Sequence, residues 1–291
     1  MQTIETPDYR PYMSGKYKVE PGLAPLERDV GLGPLDTKVF QFTPDTRWFL
    51  TNKLECLKED PSKYIGYADP LPETLEVVGA MLRAQLFKEW GIGVSEDNNA
   101  RNSFQALAMA VPEDICIIQV EKDGSDRLVA AHVCAPSGWD PRQKLGKSFR
   151  EIHEPVGDIA KIRAQAPSLV QALVRGRYKR FGWGIRVDNR LNHHPEPPAW
   201  FPGSMEDWYG RGFDPDNPSL FVRIERQTLV GLPEVSAFVF TIRIYLQDVH
   251  GMDTNERLQL AKALQSMSPQ TRKYKCLENN LHTIVSWLEQ S

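Results

Sequence analysis

Apolar residues recur at helical spacing over residues 71–90, where Leu75, Val78, Leu82 and Leu86 form a stripe flanked by Phe87 and Trp90. Pro72 suits the first turn of that helix and Gly91 its stop. Two apolar runs of strand type follow, 114–120 and 128–134, and the EKDGSD segment between them carries the Asp123-Gly124 turn signal of a hairpin. In KLGKSFREIHEPVGD, residues 144–158, Leu145, Phe149 and Ile152 are spaced i, i+4, i+7, which predicts one helical face. His153 falls on or beside that face, and Glu154-Pro155 is expected to close the segment. A further helical region is predicted over 158–180, interrupted at Pro167, with Ser168 as cap of its second piece. The Pro-rich HHPEPPAWFPG, 193–203, reads as a loop.

LFVRIERQTLV (220–230) and SAFVFTIRIY (236–245) are the strongest strand signals, linked by Gly231-Leu-Pro-Glu. Asp253 and Glu256 make a capping-box start for one C-terminal helix. Ser268-Pro269 opens another, with Leu277, Leu281, Ile284, Val285 and Leu288 inward. Hairpin strands separated by helices predict an α+β fold with an antiparallel sheet. The expected organisation is an extended Pro- and Gly-rich arm over 1–45, a core over 46–250 and a helical extension over 251–291.

Composition narrows the partners. The 291 residues are 41% hydrophobic and carry a net charge of −3, so there is ample core and no basic excess for nucleic acid. No apolar run reaches the length of a membrane span, and MQTIETPDYRPYM does not read as a secretory leader. A cytoplasmic protein is expected. Cys56, Cys116, Cys134 and Cys276 lie far apart without a C-x-x-C pair, which predicts reduced thiols and no structural zinc or iron–sulfur site. VGLGPLD (30–36) lacks the third glycine of a dinucleotide loop, and no G-x-S-x-G elbow is present.

Strand alternation places Val222, Ile224, Arg226 and Thr228 on one face, and Phe221, Arg223, Glu225 and Gln227 on the other. An arginine among Val and Ile calls for an anionic partner, either a core carboxylate or a bound ligand, unless it reaches solvent at an edge. Glu225 and Arg243 form a candidate cross-strand ion pair. His153 reads as a core histidine bonded to a carbonyl, a general base or a metal ligand. Adjacent His193 and His194 would face opposite ways on a strand, so a multi-histidine site is not indicated. Haem iron needs one protein ligand and an apolar wall, which fits a lone inward histidine better.

The ordered blocks P-S-G-W-D-P-x-x-K-L-G-K-x-F-x-x-I-H-E-P-V (136–156), R-I-E-R-Q-T-L-x-x-L-P (223–233) and A-F-V-F-T-I-R-I-Y (237–245) resemble the alpha subunits of haem-dependent oxidative N-demethylases. The resemblance extends more loosely to Gly22–Leu26 and the first helix. It implies a PAS-like sheet crossed by a helix whose histidine, here His153, ligates haem b. Phe149, Lys144 and Ile224 would surround the cofactor, and Arg226, with Thr228 and Gln227 as companions, would face bound oxygen. The implied reaction is demethylation of dimethylamine to methylamine and formaldehyde with O2. Electrons would come from a reductase partner carrying flavin and an iron–sulfur cluster. A haem PAS gas-binding protein without turnover is the alternative, and a haem-free binding module a third. Asp69 or Glu73 are candidate carboxylates for the amine. The chain departs from the family pattern at Gly182 in Arg180-Phe-Gly-Trp183, where Asn is expected, and at Val230-Gly231, where arginines are frequent.

Overall fold

The computed structural model describes residues 5–18, 22–69, 72–95, 100–154 and 160–290. In chain order these form β1 (Ala24–Pro25), α1 (Thr46–Glu59), α2 (Pro61–Tyr64), β2 (Ile65–Tyr67), α3 (Pro72–Trp90), α4 (Ser103–Ala110), β3 (Asp114–Val120) and β4 (Asp126–His132). There follow α5 (Phe149–Ile152), α6 (Ala160–Arg175), β5 (Arg177–Arg186), α7 (Met205–Tyr209), β6 (Phe221–Leu232), β7 (Ala237–Asp248), α8 (Thr254–Gln265), α9 (Pro269–Tyr274) and α10 (Leu281–Gln290). The seven strands make one antiparallel sheet in the order β1-β5-β6-β7-β3-β4-β2. The α+β antiparallel architecture expected from the sequence is the one observed.

Pairing sets the faces. Arg226 is opposite Arg243 and Thr228 opposite Thr241, while Gln227 is opposite Ile242 and Leu229 opposite Phe240. Directly paired residues share a face, so Arg226, Thr228, Val239 and Arg243 project to one side and Gln227, Leu229, Phe238 and Phe240 to the other. The first side is the arm face. Val39, Phe40 and Phe42 of the N-terminal segment pack there with α3 and α4 against Ile115, Ile117 and Val239. The second is the helix face, where Phe149 of α5 and Val170, Leu173 and Val174 of α6 pack on Ile118, Leu229 and Phe238.

Local chemistry explains where elements differ from expectation. The helix predicted around residues 145–152 shrinks to the four residues of α5. Gly146 stands at φ 75°, and Ser148 opens α5 with a capping box to Glu151. His153 is the residue that ends this helix. The expected stop at Pro155 and the helix start at Asp158 lie outside the described residues. The helix predicted up to residue 180 stops at Arg175, runs without interruption through Pro167, and is followed by strand β5. Gly231, expected in a link, is inside β6. A Cβ there would come within 2.2 Å of the Val174 carbonyl oxygen, so its bareness lets α6 cross the strand at close range. The last predicted helix breaks at Cys276, whose φ of 53° separates α9 from α10. Helices α1 and α4 have no counterpart in the pattern reading.

Candidate functional site

His153 lies on the helix face. Its Nδ1 is 2.7 Å from the Phe149 carbonyl oxygen, the bond that a protonated Nδ1 donates. Its ring leans on Phe149 at a centroid distance of 4.3 Å, and Phe149 in turn meets Phe238 edge-on at 6.2 Å. Nε2 has no hydrogen-bond partner among the described residues. Burial drives the His153 pKa down to about 4, and the nearby cations Arg180 and Lys144 push the same way against the Phe149 carbonyl. The imidazole is therefore neutral near pH 7, with its tautomer set by the carbonyl and Nε2 left as a lone-pair donor.

The sheet beside His153 is covered in two patches. Above, α5 and α6 rest on Leu229 and Phe238. Below, Ala135 and Leu191 rest on Ile242 and Ile244. Phe240 and Trp139 are partly buried against both patches. On the same face, one rung to the side, Arg180 pairs in register with Gln227, and Gly182 with Glu225. Gln227 Nε2 donates to Glu225 Oε2 at 3.0 Å. Arg180 is partly buried, and desolvation lowers its pKa, with Glu225 opposing, so its guanidinium sits in a recess and not on an open surface. The apolar floor of Phe240 and Ile242 thus ends in a polar corner of Arg180, Glu225 and Gln227.

The structure brings together some of the sequence candidates and separates others. His153, Phe149, Lys144 and Gln227 are all on the helix face; Lys144 Nζ donates to the Ile152 carbonyl at 3.1 Å, next to His153. Arg226, Thr228 and Ile224 are on the arm face, and the expectation that they would surround a ligand held by His153 does not survive the sheet geometry. Arg226 is fully buried, donates to the Lys38 carbonyl at 2.5 Å and is ion-paired with Asp36. Its anionic partner is a core carboxylate. Thr228 and Thr241 hydroxyls bond each other at 2.6 Å, and Ile224 belongs to the core beneath α8 and α10. Arg243, offered as a cross-strand partner of Glu225, bonds Thr43 and Asp45 on the arm face instead. Asp69 and Glu73 are exposed to solvent, and Glu73 is on α3, which packs on the arm face.

Arg180 was missed as a site residue because β5 was missed as a strand. The signal was present: Phe181, Trp183 and Ile185 alternate with Arg180, Gly182 and Gly184, a period of two among basic residues.

Among the described residues no group of three or more His, Cys, Asp or Glu is placed to hold a metal ion. A single neutral imidazole with a fixed tautomer, an apolar floor and flanking cations for carboxylates is a set that haem fits and a multidentate metal does not. No described helix is long and apolar enough to cross a membrane. Cys56, Cys116 and Cys134 are buried free thiols and Cys276 an exposed one.

Fold and geometry define an α+β protein with one antiparallel sheet among the described residues and, on its helix-covered face, a candidate site around His153. Residues 72–285 match the family described as haem-dependent oxidative N-demethylase, alpha subunit-like, and the chain belongs to that family.

Proposed function

We propose that this chain is the haem-bearing component of an oxidative N-demethylase acting on a small secondary N-methylamine. Dimethylamine is the simplest such substrate. The reaction balances as dimethylamine, O2, two electrons and two protons giving methylamine, formaldehyde and water. When bound, haem supplies the redox-active iron at which O2 is reduced, and a reductase partner with flavin and an iron–sulfur cluster supplies the electrons.

The observation that carries this reading is the His153 imidazole, tethered through Nδ1 and with Nε2 unbonded among the described residues. His153 would ligate the iron of haem b, in the manner of a PAS-like haem domain. Phe149 packs behind the imidazole and limits its rotation. Lys144, its amine partly desolvated, is the cation for a propionate. The polar corner of Arg180, Glu225 and Gln227 orients the amine and offers hydrogen bonds in a water-poor setting, where each is worth more than in bulk solvent. Assembly with a reductase follows from the alpha-subunit resemblance.

Loading the purified protein with haem and recording its visible spectrum tests the reading. Stoichiometric haem with a single-histidine spectrum, lost in His153→Ala, together with formaldehyde release from dimethylamine under O2 and a reductant, is the expected result. Full haem retention in His153→Ala with an unchanged spectrum would remove His153 as the ligand.

A further inference from the structure

Arg180 and Glu225 are opposite charges on one strip of the sheet that the fold does not pair with each other. Arg180 is opposite Gln227 and Glu225 is opposite Gly182, so the two charged residues are diagonal neighbours on one face. Diagonal positions are within reach of long side chains. Glu225 is the carboxylate whose charge acts on Arg180. Yet Arg180 makes no ion pair or hydrogen bond with any described residue. Glu225 accepts from Gln227 through Oε2, and its Oε1 stands 4.0 Å from Arg223 Nε.

The neighbouring arginines are engaged elsewhere through their terminal nitrogens. Arg223 donates to the Leu191 and Ala135 carbonyls, and Arg186 to the Ile185 carbonyl and the Ser137 hydroxyl. Asp188 opposes the charge on both and Asp114 that on Arg223, Arg211 adds a further cation beside Arg186, and Glu225 is shared among three guanidinium groups. The recess therefore has an excess of positive charge, concentrated on Arg180. A bare ammonium meets repulsion there; a ligand that brings its own carboxylate does not.

Gly182 presents bare backbone between the two charges. A Cβ there would come no closer than 3.7 Å to Gln227 Nε2 and 3.9 Å to Glu225 Oε2, and the residue has no positive φ that demands glycine. The missing side chain leaves a methyl-sized volume free against Gln227 and Glu225. Tyr17 and Tyr274 stand close enough to Arg180 to act on its charge, and aromatic rings suit a methylated ammonium.

We propose that the amine taken by this recess is a zwitterion, an N-methylated amino acid, with its carboxylate on the Arg180 guanidinium and its ammonium on the Glu225 carboxylate. The assignment rests on the demethylase reading above. A guanidinium fork matches a carboxylate in a two-bond contact that neither water nor dimethylamine reproduces. Arg180 and Glu225 are thus residues that select the substrate.

The test is calorimetric titration of the haem-loaded protein with N-methylglycine and, separately, with dimethylammonium chloride, followed by formaldehyde release from each. N-methylglycine is expected to bind about tenfold or more tighter, the scale of a charge-assisted hydrogen-bonded contact. Arg180→Ala should erase that ratio while haem content stays stoichiometric, Arg180→Lys should restore part of it, and Glu225→Gln should weaken both ligands. Equal binding of the two ligands, binding of neither, or an unchanged ratio in Arg180→Ala would overturn the proposal. Loss of haem in Arg180→Ala would overturn it too, by assigning the guanidinium to the cofactor. Selective, Arg180-dependent binding without formaldehyde from either ligand would uphold the amino-acid site and defeat the demethylase reading, so the two failures are separable.

Discussion

Removing the Asp36 carboxylate should destabilise the protein through its arm face while leaving the His153 surroundings on the helix face unchanged. Arg226 has no exposed surface. Its charge is met by Asp36, and its terminal nitrogens donate to the Lys38 and Val39 carbonyls. Asp36 also accepts from Gln41 Nε2 at 2.6 Å, and Gln41 bonds Tyr9 and Tyr245. In Asp36→Asn a buried guanidinium keeps two carbonyls and loses its counter-charge. Stranding one member of a buried pair costs about 3–5 kcal/mol. The Asp36 side chain retains 10% exposure, so water recovers part of this and the lower end, about 3 kcal/mol, is expected. At about 2–4 °C per kcal/mol for a chain of this size class, the midpoint of thermal unfolding should fall by about 6–12 °C. A cycle with Arg226→Met should show coupling of at least about 1 kcal/mol, because the two side chains are in contact. The Soret band of the haem-loaded protein should not move in either variant. A thermal shift under about 2 °C would refute the dependence of Arg226 on Asp36. A changed ferrous–oxygen decay rate in Arg226→Met would refute its placement away from the His153 face.

Three further outcomes are expected. Gly231→Ala forces a Cβ against the Val174 carbonyl, which is backbone and cannot rotate aside, so denaturant titration should show a loss of at least about 2 kcal/mol; a neutral effect would mean that α6 does not cross β6 at this range. Lys53→Met removes an ammonium that donates to the Ala108, Val111 and Glu113 carbonyls at 2.6, 2.8 and 2.5 Å, and should cost about 3–5 kcal/mol in the same assay by leaving those acceptors and Asp114 uncompensated; a cost under about 1 kcal/mol would contradict it. His193 is fully buried, burial holds its pKa down to about 3, and its ring donates to Asp188. Its contribution is complete above pH about 6.5 and is lost as pH falls toward 3, at no more than about 1.4 kcal/mol per pH unit. Glu113, raised to about 7 by burial, has the opposite trend between pH about 4.5 and 7. The His193→Gln difference is therefore read below pH about 4.5, where the variant should show the shallower loss; equal slopes would count against a neutral His193.

What the pattern reading recovered and what it lost follow one rule. Strands β6 and β7 were legible because both carry strict alternation, and the two faces of β6 were assigned residue by residue as the structure has them. Helix α3 was legible because Leu75, Val78, Leu82 and Leu86 are all buried. Helix α1 was not, because its inward stripe is Thr46, Phe49, Lys53 and Cys56 while Trp48 and Leu54 face solvent. A helix whose buried face carries a lysine has no hydrophobic signature; its lysine is compensated by carbonyls from a segment some 55 residues away in sequence. Strand β5 was hidden by its basic residues and two glycines, the same features that make its helix face a site.

The sequence by itself determined the class of fold, the alternation that separates Arg226 from Gln227, and the histidine that ends a short apolar helix. Those are local properties, written in spacing and capping residues. Only the tertiary structure decided which face of the sheet His153 looks onto, because that depends on the packing of α5 across strands distant in the chain. It thereby moved Arg226 to a buried pair with Asp36 and put Arg180, Glu225 and Gln227 beside the imidazole. A side chain's face follows from a period of two; what covers that face follows from contacts no spacing encodes.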